Sequence, residues 1–409
     1  MEEFKTYLME DLIEEIAMGP FGSNIKVDCF VDSGVPVLNG ANLQGFKLRE
    51  DSFNYVTTEK ADSLNKANAY RGDIVITHRG TLGQIVYIPN DSKYERYVIS
   101  QSQFRVRVNP EVALPEYVVF YFHTRIGQHR LLANASQVGV PAIARPSTTF
   151  KKVEIELPSL NEQKRIVGIL NSQSDKIDLN NRINHNLEEQ ARSLYKSWFI
   201  DFEPFKDGKF VDSELGMIPE GWHIGTLSEI ADITMGQSPS GSSFNEDGHG
   251  IVFYQGRTEF GFRFPSIKLF TTEPTRFAEP HSVLMSVRAP VGDINVALDR
   301  CCIGRGLAAI TAKDEAFSFV LYTLKGKSSE LDLYNGEGTV FGSINRKDLE
   351  GLSVLIPPMS IIQQFNDRIR PIDESIEIAY KEIVNLSFSR DSLLPRLMSG
   401  QLSFDECDC

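Results

Sequence analysis

Long hydrophobic runs and cysteine are both scarce in this sequence of 409 residues. The longest apolar stretches, Val118–Phe122 and Phe317–Leu324, fall far short of the roughly 18 residues that a membrane-spanning helix requires. The first residues are acidic, whereas a secretory signal begins with basic ones. The five cysteines are odd in number and lack the paired spacing of zinc ribbons or disulfide frameworks. We therefore expect a protein that makes no membrane contact and stays in the cytoplasm.

Catalytic motifs are missing as well. The phosphate-binding motif Gly-x-x-x-x-Gly-Lys-Ser is approached only at Gly326-Lys327-Ser328, where Leu321 occupies the position of the first glycine. The seven histidines form no His-x-x-x-His pair, and no Gly-x-Ser-x-Gly elbow occurs. The Asp-Pro-Pro-Tyr type of clamp found in adenine methyltransferases is absent too. The sequence therefore predicts a chain that is not an enzyme and binds no metal and no cofactor itself.

The charge balance differs between regions of the chain. The formal net charge of −13 disfavours nucleic-acid binding, because lysine and arginine supply most of the contacts to phosphate. Residues 71–152, however, contain eleven Lys or Arg against five Asp or Glu, and residues 257–347 contain twelve against ten. Two regions of the chain are therefore locally basic, and the negative net charge of the whole chain does not exclude DNA as a partner.

The chain contains an internal duplication with a period near 199 residues. Gly139–Pro158 aligns with Gly338–Pro357 without a gap, and each copy then enters a long helical pattern. Each preceding region contains short apolar strands and turns, including Gly72–Thr77 and Ser282–Val287. We therefore predict an α/β (α+β) chain with two similar globular domains. The expected boundaries are a first domain at 1–160, a central helix at 161–201, a linker at 202–218, a second domain at 219–359, a C-terminal helix at 360–402 and a tail at 403–409.

Apolar or amide residues recur in alternating steps of four and three along both helical segments, which is the pattern of a heptad repeat. A helix from Asn161 to Trp198 would be about 57 Å long. We expect the two helices to pack against each other in antiparallel orientation, related by a pseudo-two-fold axis and separating the two domains. The alternative is that the apolar stripe formed by these residues on each helix packs on that helix's own domain. We expect Pro371 to kink or delay the second helix. The residues predicted to pack between the helices are Ile166, Leu170, Ile177, Leu187, Leu194, Trp198, Phe365, Ile369, Ile376, Ile383, Leu386 and Leu393.

The loops of both domains are rich in the polar side chains that contact DNA bases and phosphates. Gly19–Lys26 and Gly236–Ser243 are equivalent loops, and Arg79 and Arg288 follow equivalent strands. A solvated glycine-serine loop and an arginine that stabilises a turn are the structural alternatives. The candidate DNA contacts are Ser23, Asn24, Lys26, Arg79, Thr81, Gln101, Gln103 and Arg105 in the first domain, and Ser238, Ser240, Ser243, Arg257, Arg288 and Arg305 in the second.

Four segments in order resemble the specificity subunits of type I restriction-modification systems. They are Leu157–Gln163, Leu194–Phe205, Leu215–Trp222 and Leu393–Leu402. The chain departs from the family pattern in two places. The first domain lacks the Pro-Glu-Gly-Trp opening found at Pro219–Trp222, and the second helix lacks an acidic residue equivalent to Glu162.

The resemblance implies two target-recognition domains, each recognising one half of an interrupted double-stranded DNA site. It also implies two modification (methyltransferase) subunits that supply S-adenosylmethionine, together with restriction subunits. Helices of about 57 Å would correspond to at most about 17 base pairs between the half-sites. A single-chain DNA methyltransferase or nuclease and a coiled-coil adaptor for proteins remain the alternatives.

Overall fold

A computed structural model of the chain describes residues 4–20, 24–136, 139–214, 216–336 and 342–402. The chain forms two compact units. The first comprises Met1–Leu179 and Glu382–Cys409, and the second comprises Asn180–Lys381. The predicted tail at 403–409 lies outside the described residues.

The elements up to the first long helix have the following bounds. The strands are β1 Lys5–Leu8, β2 Ile13–Met18, β3 Val35–Val37, β4 Asn54–Val56, β5 Asn68–Tyr70, β6 Ile74–Thr77, β7 Ile85–Tyr87, β8 Arg96–Val98, β9 Gln103–Val108, β10 Ala135–Ser136, β11 Ala142–Ile143 and β12 Glu154–Leu157. The helices are α1 Met9–Leu12, α2 Thr58–Ser63, α3 Pro115–His123, α4 Arg125–Leu132, α5 Pro146–Lys151 and α6 Leu160–Phe199.

The remaining elements follow the same succession. The strands are β13 Phe210–Val211, β14 Ile218–Pro219, β15 His223–Thr226, β16 Ala231–Met235, β17 Phe244–Asn245, β18 Ile251–Tyr254, β19 Phe270–Thr271, β20 Phe277–Ala278, β21 Val283–Ser286, β22 Ile294–Val296, β23 Cys301–Ile303, β24 Leu307–Ala312 and β25 Ser353–Ile356. The helices are α7 Leu227–Ile230, α8 Phe317–Gly326, α9 Ser328–Asp332, α10 Arg346–Glu350 and α11 Met359–Met398.

A four-stranded antiparallel sheet in the order β2-β9-β6-β7 lies at the centre of the first unit. Its strand β6 is buried on both faces, which explains why three of its four residues are apolar. Ile74 and Ile76 pack into a core that contains helix α3. Val75 points to the opposite face, where it packs with Leu38 and Tyr97 near the second sheet, ordered β4-β3-β8-β5.

The second unit has the same central sheet, ordered β16-β24-β21-β22. Val283 and Met285 of β21 pack into the core that contains helix α8, and Leu284 packs on the other face. A five-stranded sheet, ordered β17-β19-β18-β23-β20, completes the unit. The two units therefore repeat one α+β architecture, which confirms the predicted fold class and the duplication.

Helices α6 and α11 are each 40 residues long. Their first residues, Leu160 and Met359, are 199 positions apart, as the repeat predicts. Helix α11 begins well before Pro371, so the expectation that this proline delays the helix is wrong. A proline lacks the N–H group that continues a helix, but the flanking residues of α11 keep it helical on both sides of Pro371.

In the first unit, α6 and α11 lie side by side in antiparallel orientation. Gln173 donates a hydrogen bond from Nε2 to Ser389 Oγ at 3.2 Å, and Lys176 forms an ion pair with Glu382 at 3.5 Å. Ile166 and Leu170 share one core with the central sheet and with α11. The heptad-spaced apolar residues of α6 therefore pack both on the other helix and on their own domain, so both alternatives are correct.

The same antiparallel pairing occurs in the second unit, where the ring centroids of Trp198 and Phe365 are 5.9 Å apart. Of the other residues predicted to pack between the helices, Ile177, Ile369 and Ile376 are buried in the structure. The remaining five are partly buried, namely Leu187, Leu194, Ile383, Leu386 and Leu393.

A buried ion cluster connects the two helices of the second unit. Arg263 forms ion pairs with Glu188 of α6 and with Asp373 of α11, and its guanidinium also donates a hydrogen bond to the hydroxyl oxygen of Tyr322 at 2.9 Å. Lys325 of α8 forms a further ion pair with Glu188. Because Arg263 is only 2% exposed and Glu188 only 3%, the charges depend on one another for their stabilisation.

Candidate nucleic-acid interface

The central sheet of the first unit ends in loops that meet at one end of the sheet. Strands β2 and β6 finish there, and their antiparallel neighbour β9 begins there. The amide of Gly19 donates to the carbonyl oxygen of Gln103, and the amide of His78 donates to that of Ser102, both at 2.9 Å. These bonds bring together residues 19–20, 78–84 and 100–103. We call this end of the sheet the first rim.

Arg79 stands on a short, rigid segment of the first rim. The amide of Gly80 donates to the carbonyl oxygen of Pro141, and the amide of Ile143 donates to that of His78, both at 2.9 Å. These bonds flank an antiparallel bridge between Arg79 and Ala142. The Arg79 side chain is exposed, and within the described part of this unit no side chain pairs with its guanidinium.

The central sheet of the second unit ends in an equivalent rim. The amide of Gly236 donates to the carbonyl oxygen of Leu307, and the amide of Val287 donates to that of Gly306, both at 2.9 Å. The loops after β16 and β21 therefore lie beside the turn before β24. We call this end, residues 236–240, 287–291 and 304–306, the second rim.

Arg288 occupies the position of Arg79 in the second rim. An antiparallel bridge joins it to Ser343. The amide of Ala289 donates to the carbonyl oxygen of Gly342 at 3.0 Å, and the amide of Ile344 donates to that of Val287 at 3.1 Å. The Arg288 side chain is exposed and has no ion-pair partner within the described residues of its unit. The predicted equivalence of the two arginines therefore extends to their backbone geometry.

A glycine directly follows strand β2 in the first unit and strand β16 in the second, for steric reasons. A Cβ atom at Gly19 would overlap the carbonyl oxygen of Ser100, and a Cβ atom at Gly236 would overlap that of Gly304. Because any side chain would push these strands apart, both loops must leave the sheet through glycine.

Most of the other candidate contacts in the first unit are exposed. Thr81 and Gln101 are exposed on the first rim, and Asn24 and Lys26 are exposed on the segment that follows Pro20. Ser23, the remaining candidate of that loop, lies outside the described residues.

Gln103 and Arg105 are buried, so the expectation that they contact DNA is not supported by their position. Gln103 accepts a hydrogen bond from the amide of Ser100 at 2.9 Å. Arg105 forms ion pairs with Glu15 at 2.6 Å and Asp73 at 3.4 Å. Arg105 lowers the pKa of Glu15, whereas burial raises the pKa of Asp73. Both candidate residues stabilise the sheet beneath the first rim.

The candidates of the second unit divide in the same way. Ser240 and Arg305 are exposed, and the amide of Arg305 donates to Ser238 Oγ at 3.3 Å. Arg257 is exposed, but Asp293 pairs with its guanidinium. Ser243 is buried and shares a hydrogen bond with Thr271 Oγ1 at 2.7 Å, so it stabilises its own loop rather than facing a ligand.

The sequence did not mark His78 in the first rim or Arg145 beside it. His78 Nε2 lies 3.2 Å from the carbonyl oxygen of Gln101, and burial lowers the pKa of His78. Arg145 is exposed and follows β11, the strand that carries the bridge to Arg79. The gapless repeat that contains Arg145 was a usable signal, since it marks the segment that supports the rim.

The described residues contain no group of three or more His, Cys, Asp or Glu side chains arranged to hold a metal ion. Within the same residues, no helix combines the length and the apolar character needed to cross a membrane. What both units display is an exposed, polar and partly cationic rim on a rigid sheet.

Comparison with known proteins identifies the family. The family described as "Type I restriction modification DNA specificity domain" matches residues 3–189 and again residues 219–386. The putative type I restriction enzyme MjaX specificity subunit of Methanocaldococcus jannaschii is 30% identical over 98% of this chain and 94% of its own length. The HindI specificity subunit of Haemophilus influenzae is 23% identical over 81% of this chain and 87% of its own length.

A solved structure shares the fold. The type I restriction-modification S subunit from M. genitalium superimposes with a TM-score of 0.64 at 16% identity, covering 97% of this chain and 96% of that one. The two family matches coincide with the two repeats of the sequence, each containing one rim. The chain therefore belongs to the DNA specificity subunits of type I restriction-modification systems.

Proposed function

We propose that each unit recognises one short sequence of double-stranded DNA through its rim, so that the chain as a whole selects a site made of two half-sites. The observation that carries this proposal is the presence of the same rim in both units. In each, an exposed arginine on a bridged segment stands beside exposed Ser, Thr or Gln side chains. Such side chains form hydrogen bonds with base edges in the major groove.

The exposed polar residues of the rims, together with Lys26 on the segment that follows Pro20, divide into two kinds of contact. Lys26 and Arg305 are exposed cations without an equivalent in the other unit, and we assign them to phosphates. Thr81, Gln101, Ser238 and Ser240 carry hydroxyl or amide groups, which suit base edges.

The chain itself contributes selection rather than catalysis. In this proposal two modification subunits supply S-adenosylmethionine and methylate adenine, and restriction subunits join the same complex. Because its target is genomic DNA, we expect the complex to act in the cytoplasm. The acidic net charge of −13 agrees with partners that provide much of the phosphate contact.

The experiment is to purify the chain with its cognate modification subunits and to sequence the methylated sites of a genome exposed to the complex. We expect one motif with two specified parts separated by unspecified bases. Gln101→Ala should alter only one part and Ser240→Ala only the other. Equal affinity of the complex for the motif and for duplexes with scrambled halves would refute the proposal. Methylation or cleavage by the isolated chain would refute the assignment of catalysis to the partners.

A further inference from the structure

Among the candidate residues that the structure describes, only Arg79 and Arg288 keep the same chemistry at the same place in both units. Each follows the strand that lies third in its central sheet, β6 or β21. Each is held by an antiparallel bridge with a backbone hydrogen bond on either side. Resting on the proposed function, we infer that these two arginines each recognise one guanine, so that each half-site contains a guanine at a fixed position.

The state of the guanidinium groups supports this inference. The guanidinium of Arg105 is buried among carboxylates, and that of Arg257 is paired with Asp293. No side chain within the described residues pairs with Arg79 or Arg288. Their five N–H donors are therefore available, and the planar fork matches the O6 and N7 acceptors of guanine.

The rigidity of the backbone distinguishes a base contact from a phosphate contact. A phosphate can be reached by a cation on a flexible segment, because a point charge needs little orientation. Bidentate contact with one base edge instead requires that the side chain starts from a fixed position. The bridges at Arg79 and Arg288 provide this fixed start, since the flanking amides are bonded to a neighbouring segment.

The positions of the other cations in or beside the two rims are not shared. Arg305 stands on the turn before β24, where the first unit has Gln101 and Ser102. Arg145 follows β11 in the first unit. A role common to both half-sites therefore falls on Arg79 and Arg288 alone among the rim cations.

The test uses the complex of the full chain with its cognate modification subunits and DNA duplexes that contain its methylation motif. In one set of duplexes, each guanine of the motif is replaced in turn by 7-deazaguanine, which lacks the N7 acceptor. We expect the wild-type complex to lose about 10-fold in affinity at one guanine of each half-site. Arg79→Ala should be insensitive to the replacement in one half-site, and Arg288→Ala should be insensitive in the other.

Three further variants make the outcome decisive. Arg79→Lys keeps the charge but not the fork, so it should behave as Arg79→Ala does. Arg49→Ala and Arg300→Ala are controls, because both arginines are exposed and lie away from the rims. Arg49 is near the end of β7 that points away from the first rim, and Arg300 is near the end of β23 that points away from the second. Both controls should retain the wild-type sensitivity to 7-deazaguanine.

The possible failures can be told apart. If Arg79→Lys restores wild-type affinity and sequence preference, Arg79 contacts a phosphate and the inference is wrong, while the proposed function stands. The inference is equally wrong if a half-site contains no guanine or if Arg79→Ala keeps the sensitivity. If the wild-type complex binds scrambled half-sites as tightly as the motif, the proposed function itself fails.

Discussion

The buried ion cluster of the second unit allows a quantitative prediction about stability. Glu188 accepts ion pairs from Arg263 and Lys325 and is almost fully buried. Although desolvation by burial opposes ionisation, the surrounding cations together lower the pKa of Glu188 from 4.5 to about 2. That difference corresponds to about 3 kcal/mol of stability at neutral pH. Breaking a buried ion pair by removing one partner costs about 3–5 kcal/mol, which agrees with the value obtained from the pKa of Glu188.

We therefore expect Glu188→Gln to lower the free energy of unfolding of the second unit by about 3 kcal/mol. The chain has two tryptophans, Trp198 and Trp222, and both lie in this unit. Tryptophan fluorescence during urea unfolding therefore reports on the second unit alone, where the midpoint should fall by about 1 M. Glu189→Gln is the control, because Glu189 is the exposed neighbour on the same helix.

The pH dependence provides an independent check. A carboxyl group with a lowered pKa stabilises the folded state above its ordinary pKa and loses that contribution as the pH falls towards the folded value. Glu188 therefore loses its stabilising contribution as the pH falls from 4.5 to about 2. The difference between wild type and Glu188→Gln should therefore shrink by about half by pH 3. An unfolding midpoint equal to that of Glu189→Gln at neutral pH, or a difference independent of pH, would refute the reasoning.

Three other perturbations have expected outcomes. Gly236→Ala should lower the stability of the second unit by about 1–3 kcal/mol in the same urea assay, because its Cβ atom would overlap a backbone carbonyl. Gly241→Ala is the control: its Cβ atom would meet open space, so the stability should change by less than about 0.5 kcal/mol. Phe365→Ala should cost about 3–5 kcal/mol because Phe365 is fully buried, and Ile378→Ala on the same helix, 68% exposed, should cost less than about 0.5 kcal/mol. Lys26→Ala should reduce the slope of log affinity against log salt for the complex on its DNA by about 0.9, and an unchanged slope would exclude a phosphate contact.

The long helices could be predicted from the sequence because their information is local. A heptad pattern repeats the same burial requirement every two turns, and two copies 199 residues apart place the helix starts independently of any tertiary contact. Pro371 does not delay α11, because the free-energy cost of one proline is small beside the packing of a 40-residue helix.

The rim could be predicted only in part. Arg79 and Arg288 were identifiable because the duplication aligns the turns that carry them. The burial of Arg105 could not be predicted, because its partners Glu15 and Asp73 belong to distant segments that only the folded sheet brings together. The nearness of Gln101 to His78 likewise depends on the pairing of β6 with β9. Strand alternation alone left Gln103 and Arg105 indistinguishable from surface residues.

Under the proposed function, the placement of each rim at the end of a buried sheet affects how easily the target sequence can change over evolution. Thr81, Gln101, Ser240 and both bridged arginines are at least partly solvated, whereas the sheet residues beneath them are closed off from water. Replacing an exposed side chain alters stability by less than about 0.5 kcal/mol, a small fraction of the margin of about 5–15 kcal/mol that keeps a protein folded. If the rims read the DNA as proposed, a few substitutions at the strand ends give new DNA preferences while the protein still folds.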